Sequence, residues 1–158
     1  MSFEIADQIE YGGHSYKIDT YPLEPYFALN GYARLESISP FCSRGYVADW
    51  TVEQDRLLLA KLWPSPRIAL STLFPSATGP VLASWYTGWI HAWRGERRRT
   101  GYPSRTFYNH EVIFGIRNGV IIRIWELDLR DVPDQTDDEL RQELPAFLRA
   151  PKSRGEAT

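Results

Sequence analysis

The feature that most constrains this chain is a dipeptide. Asn118-Gly119 stands between two alternating apolar runs, Phe107 to Arg117 and Val120 to Leu129. Asn-Gly supplies the two positive-φ positions of a type I′ turn, whose twist matches that of paired antiparallel strands. Period two puts Val112, Phe114 and Ile116 on one face of the first strand. It puts Val120, Ile122 and Ile124 on one face of the second. A long β-hairpin is therefore expected at 106–117 and 120–129.

Other segments repeat the pattern. Gly12-Gly13 separates Gln8 to Tyr11 from His14 to Ile18, and Gln54-Asp55 separates Arg44–Glu53 from Arg56–Trp63. Val81 to Trp93 reads as one long aromatic strand with a bulge at Gly88. Tyr21-Pro22-Leu23-Glu24-Pro25 predicts extended or turn geometry. Residues 26 to 43 read as loop with one helical turn, and Ser65 to Pro75 as loop with a short helical turn before Phe74-Pro75. Helix proper is expected near 137–149, where Thr136-Asp137-Asp138-Glu139 forms a capping box and Leu140, Leu144, Phe147 and Leu148 follow helical spacing. Pro145 should kink it or divide it into two short helices. The expected fold class is mainly β, a β-rich α+β arrangement. Antiparallel hairpins would form a curved sheet, a sandwich or a partly open barrel, with a short C-terminal helix. At 158 residues the chain is read as one domain over 1–150 with a flexible tail at 151–158.

Composition excludes several classes. A net charge of −2 does not suggest a generic nucleic-acid binder. Cys42 is the only cysteine, so neither an intramolecular disulfide nor a cysteine metal cluster is available, and a lone buried thiol suits a reducing compartment. No signal peptide or bilayer-length apolar run is visible, which makes the cytoplasm the expected location and a membrane role unexpected.

Residues 7 to 127 resemble a family of small uncharacterised bacterial proteins. The resemblance rests on Tyr21-Pro22-Leu23-Glu24, Arg44-Gly45-Tyr46-Val47-Ala48-Asp49-Trp50 and Leu73-Phe74-Pro75. It continues in Val81 through Trp85-Tyr86-Thr87-Gly88 to Ile90, in Gly101-Tyr102, and in the glycine hairpin at Gly119-Val120. Gly95, after Arg94, matches the family, whereas the run Arg97-Arg98-Arg99 departs from it. The family carries no activity to transfer. What the resemblance implies, from the company such genes keep, is an immunity protein that neutralises a bacterial toxin.

The chemistry-bearing residues are sparse. His14, His91 and His110 lack metal-ligand spacing, and Cys42 reads as a small buried hydrophobe. No catalytic set, metal or cofactor is expected. Asp49 and Glu53 share a strand face and could form a carboxylate pair, or could pair with Arg44 and Arg56. Trp85, Trp89 and Trp93 recur every four residues, so a regular strand aligns them as core filling or as a binding row. Arg94, Arg97, Arg98, Arg99 and Arg105 form a basic stretch, expected as an exposed loop between strands. Between Glu126 and Glu143 carboxylates gather, among them Asp128, Asp131, Asp134, Asp137 and Asp138.

Three functions follow as expectations. The first is a non-enzymatic protein-interaction protein using the acidic residues with Trp85, Trp89 and Trp93. The second is a carbohydrate-binding or hydrolytic module built on the Trp row and Asp49. The third is a single-stranded nucleic-acid accessory protein using Arg94, Arg97, Arg98 and Arg99. A basic loop packed against the acidic segment would weaken the third.

Overall fold

Three tight turns organise the molecule. In the computed structural model, which describes residues 4–31, 35, 37, 39–63, 70–100, 105–134, 138 and 142, each turn has two successive residues at positive φ. Gly12-Gly13 joins β1 (Gln8–Tyr11) to β2 (His14–Ile18), Gln54-Asp55 joins β3 (Val47–Glu53) to β4 (Arg56–Trp63), and Asn118-Gly119 joins β7 (Arg105–Arg117) to β8 (Val120–Asp128). These are the three hairpins expected from the sequence.

Long-range pairing then closes the sheet. The order β3-β1-β2-β6-β7-β8-β4 returns to β3 through the β3–β4 pairing, which makes a seven-stranded barrel; the short β5 (Val81–Leu82) attaches to β4. Every ladder is antiparallel except β1–β3, which is parallel. The fold is mainly β, as expected, and among the sheet forms considered it is the barrel.

The interior is apolar and aromatic. Ile9, Tyr16, Ile18, Ala48, Trp50, Leu57, Leu59, Ile90, Ala92, Val112, Phe114 and Ile116 are buried at alternate strand positions. Two short helices cover the end where β2 finishes and β6 (Gly88–Thr100) begins: α1 (Glu24–Asn30) and α2 (Leu70–Leu73). Tyr26 and Phe27 of α1 meet Trp85 and Tyr46, with ring centroids 4.7 and 5.6 Å apart respectively, and Phe74 stacks on Trp85. Such ring contacts add about 0.5–1.5 kcal/mol each beyond area burial.

Several expectations are corrected. Helix was expected only near 137–149, yet α1 forms at 24–30. Pro25 starts it instead of blocking it, because the first turn has no use for the missing N–H. The first strand of the β3–β4 hairpin begins at Val47, not Arg44, because Gly45 turns the chain at φ 83. The strand expected over 81–93 is two: β5 ends at Leu82, a turn follows, and β6 runs on to Thr100. Gly88 opens β6; the bulge falls between Arg94 and Arg97. Arg97, Arg98 and Arg99 therefore lie in a strand, not in a loop. The capping box and helix expected near 137–149 lie outside the described residues apart from Asp138 and Gln142, both helical in backbone, and so does the 151–158 tail.

Candidate functional site

On β6, Ile90 and Ala92 point inward, which sends Trp89, His91 and Trp93 outward. Register places Trp89 beside Gly115, His91 beside Ile113 and Trp93 beside Glu111 on β7. The next ladder adds Arg123, Trp125 and Leu127 of β8. The result is a nine-residue grid on the outer wall. Trp89 and Trp125, although on strands separated by β7, stack with centroids 5.2 Å apart and planes within 7°. Gly115 makes this possible: a Cβ there would lie 2.7 Å from the Trp89 ring. The two indoles remain 52% and 47% exposed, and Leu127 is 42% exposed. Arg123 lies 5.9 Å over the Trp125 ring, and Trp93 stacks on Tyr108.

Trp85 does not belong to this row. It precedes β6, donates its indole N–H to the Pro22 carbonyl at 2.8 Å, and packs against Phe74, Tyr26 and Trp50. The row read from the sequence is thus two outward rings and one core ring. The partners that complete the surface, Trp125 and Tyr108, lie on other strands.

Glu111 is an outer-face carboxylate only 3% exposed. It takes the His91 Nε2 on one oxygen and the Tyr108 amide on the other at 2.9 Å. Asp19 lies 3.8 Å from the His91 Nδ1. His91 thus bridges two carboxylates beside Trp93.

The basic and acidic stretches meet at Arg98. Arg98 hydrogen-bonds the Asp134 carboxylate at 3.1 Å and the carbonyls of Leu129, Arg130 and Val132. Asp128 is gripped by Arg130 at 2.7 Å, which holds its carboxyl down at about 2. Arg97, Asp131 and Asp138 are exposed, Arg94 turns toward the barrel mouth, and Asp137 with the Arg99 and Arg105 side chains lies outside the described residues. The basic stretch thus clamps the acidic segment through Arg98, which weakens the nucleic-acid reading.

The segment Arg44 to Trp50 forms a buried latch with Asp7. Asp7, fully buried, accepts from Arg44 Nη2 at 2.7 Å, the Ala48 amide at 3.0 Å and the Trp50 indole at 3.3 Å. Arg44 also holds Glu4 at 2.9 Å and lies over the Tyr21 ring, while Tyr46 donates to Glu24. Burial pushes the Asp7 carboxyl up, against the pull of Ala48 and Arg44. These residues hold the N-terminal segment to β3.

Asp49 and Glu53 face Lys61 and Arg56 across the β3–β4 ladder. Burial raises the Asp49 carboxyl and Lys61 lowers it. Strands β1 and β2 separate Asp49 from Trp89 and Trp93, so the proposed Trp–Asp49 pairing is not assembled. Cys42 is buried and unpaired, its thiol directed to the Tyr46 carbonyl. Among the described residues no group of three or more His, Cys, Asp or Glu is placed to hold a metal ion, and no helix is long and apolar enough to cross a membrane. No family model, curated protein or solved structure matches the chain.

Proposed function

We propose that this protein acts by binding another protein, and that the outer face of β6, β7 and β8 receives it. The observation that carries this reading is the half-exposed Trp89–Trp125 stack on a rigid sheet. Pre-positioned aromatic rings give large contact area with little further loss of freedom, and Trp and Arg dominate interface energetics. Arg123 and Leu127 extend the patch. Asp128 and Asp134 are held by Arg130 and Arg98, which leaves Asp131 as the exposed carboxylate between them. Its charge supports a partner with a basic surface, because rim charge mainly speeds encounter.

The narrower form, implied by the resemblance, is neutralisation of a toxin by covering its working site; sites that act on nucleic acid are basic because their substrates are anionic. The buried, unpaired Cys42 thiol supports a cytoplasmic setting.

The test is co-purification from the native host, then titration of the purified partner. Replacing Trp89 and Trp125 with Ala should weaken binding by on the order of 100-fold or more, as for two anchor residues. Gly115→Ala should weaken it without changing charge, because the new Cβ displaces the Trp89 ring. Asp131→Lys should slow association. A partner indifferent to the Trp and Gly115 variants rules this face out, and a carbohydrate retained in place of a protein overturns the reading.

A further inference from the structure

The barrel is open where β2 should continue along β6. Their ladder consists of Lys17↔Trp93 and Ile18↔Ala92. Just beyond, Gly95 adopts φ +90 in the β6 bulge, and a Cβ there would lie 2.9 Å from the Asn109 Cβ. The gap exposes a cavity of about 320 Å³ at the mouth near the β1–β2 turn, walled by Tyr11, His14, Tyr16, Arg94, His110 and Glu126. A larger cavity of about 730 Å³ on the N-terminal side shares Tyr16 and Arg94.

Arg94 sits between the two. Its guanidinium lies 5.5 Å from the centre of the Tyr16 ring, and its Nε is buried without a hydrogen-bond partner. Among the described residues no hydrogen bond or ion pair reaches this guanidinium, whereas Arg44, Arg98 and Arg130 each hold carboxylates. None of the mouth's three carboxylates bonds this guanidinium. Asp128 is held by Arg130 and lies 3.9 Å from the His110 Nδ1, Glu111 takes His91 and the Tyr108 amide, and Glu126 lies beside Tyr11. A partly buried guanidinium with unused donors, flanked by two imidazoles, is the donor set that an oxyanion satisfies.

We propose that the barrel mouth binds a small molecule through its anionic group, a carboxylate or a phosphate, held by Arg94 with His14 and His110 beside it. The cavity meets the outer aromatic face at Glu111 and Leu127, which line it. The anion site does not rest on the proposed protein partner.

The chain's three histidines provide the readout. Imidazole resonances of the ¹⁵N-labelled full chain are followed during titration with inorganic phosphate and, separately, acetate, at constant ionic strength. Saturable shifts are expected at His14 and His110. Smaller shifts are expected at His91, which reaches the cavity only through Glu111. Burial and Arg94 keep His110 below the usual imidazole range, with Arg130 and His14 acting the same way and Asp128 opposing. Glu111, Glu126, Asp128, Tyr11 and Tyr16 are the other titratable groups lining the cavity. A bound anion should therefore raise the His110 midpoint. Arg94→Gln should weaken the saturable anion by about tenfold or more, and Trp89→Ala should leave it unchanged. Saturation by only one probe identifies the oxyanion. Linear shifts, shifts of equal size at His91, or unchanged affinity in folded Arg94→Gln overturn the proposal. Should Arg94→Gln fail to fold, the unmodified chain still decides, because saturation at His14 and His110 with a smaller response at His91 is required.

Discussion

Removing the Asp7 carboxylate should be among the most damaging single changes in this barrel. Asp7 is fully buried and satisfies three donors: Arg44 Nη2, the Ala48 amide and the Trp50 indole. Asp7→Ala leaves all three without their acceptor and leaves Arg44 buried with Glu4 as its remaining carboxylate. Each orphaned buried donor costs about 1–3 kcal/mol, and breaking a buried ion pair from one side costs about 3–5 kcal/mol. These describe the same loss and are not added. Glu4 and entering water offset part of it, so we expect about 3–4 kcal/mol. A domain of this size loses about 2–4 °C of Tm per kcal/mol, giving a drop of about 6–16 °C. Urea unfolding followed by Trp fluorescence measures the loss directly, and the m-value should be unchanged. Arg44→Met should cost a similar amount. The double variant should cost less than the sum by about 1–3 kcal/mol, because neither partner is then left alone. A loss under about 1 kcal/mol, or strict additivity, would refute the latch reasoning.

Other consequences are more local. Gly119→Ala places a Cβ 2.7 Å from the Ala83 carbonyl oxygen at φ +80, whereas Gly12→Ala at φ +58 meets open space. The first should cost about 2–4 kcal/mol in chemical denaturation and the second about 1–2, since only the first adds a clash to left-handed strain. Arg98→Ala should release the segment after β8, so amide exchange at Leu129 and Val132, which bond to Asn109 and Leu129, should quicken before the β7–β8 ladder does. His110 has its folded pKa lowered, so the unfolded chain binds the proton more readily. Stability attributable to it is therefore intact above about 6.5 and falls as pH drops below that value. His110→Gln should flatten this part of the stability-versus-pH curve.

The sequence shows local pairing and hides closure. Each hairpin has its turn residues adjacent in the chain, so Gly12-Gly13, Gln54-Asp55 and Asn118-Gly119 could be read directly. The parallel β1–β3 pairing and the two-pair β2–β6 ladder join strands 30 to 80 residues apart, with no local chemistry to announce them. The Arg run misled for a related reason. Three adjacent guanidinium groups suggest a loop because they are costly to bury, yet a strand at the sheet's end sends neighbours Arg97 and Arg98 to opposite faces. Arg97 stays in water and Arg98 finds carbonyls on the far side of β7. Pro25 misled because its effect depends on helix position, which the sequence leaves open.

The candidate site was half legible for a geometric reason. Spacing by four picked out Trp89 and Trp93 but also Trp85, because periodicity cannot tell where a strand begins. Trp125 could not be paired with Trp89 without knowing that β7 lies between them, and the decisive residue there is one with no side chain, Gly115. Conversely, the motif that drew the resemblance, Arg44 through Trp50, is spent on the latch: Arg44, Tyr46, Ala48 and Trp50 are all buried. Buried residues that fix a segment to a barrel wall describe the scaffold, and one scaffold serves many functions. The residues that can meet a partner are those the motif does not include, the stacked indoles on the outer wall and the unpartnered guanidinium at the mouth. Function in this chain should therefore be sought by changing Trp89, Trp125 and Arg94, whose loss the barrel tolerates better than loss of the latch.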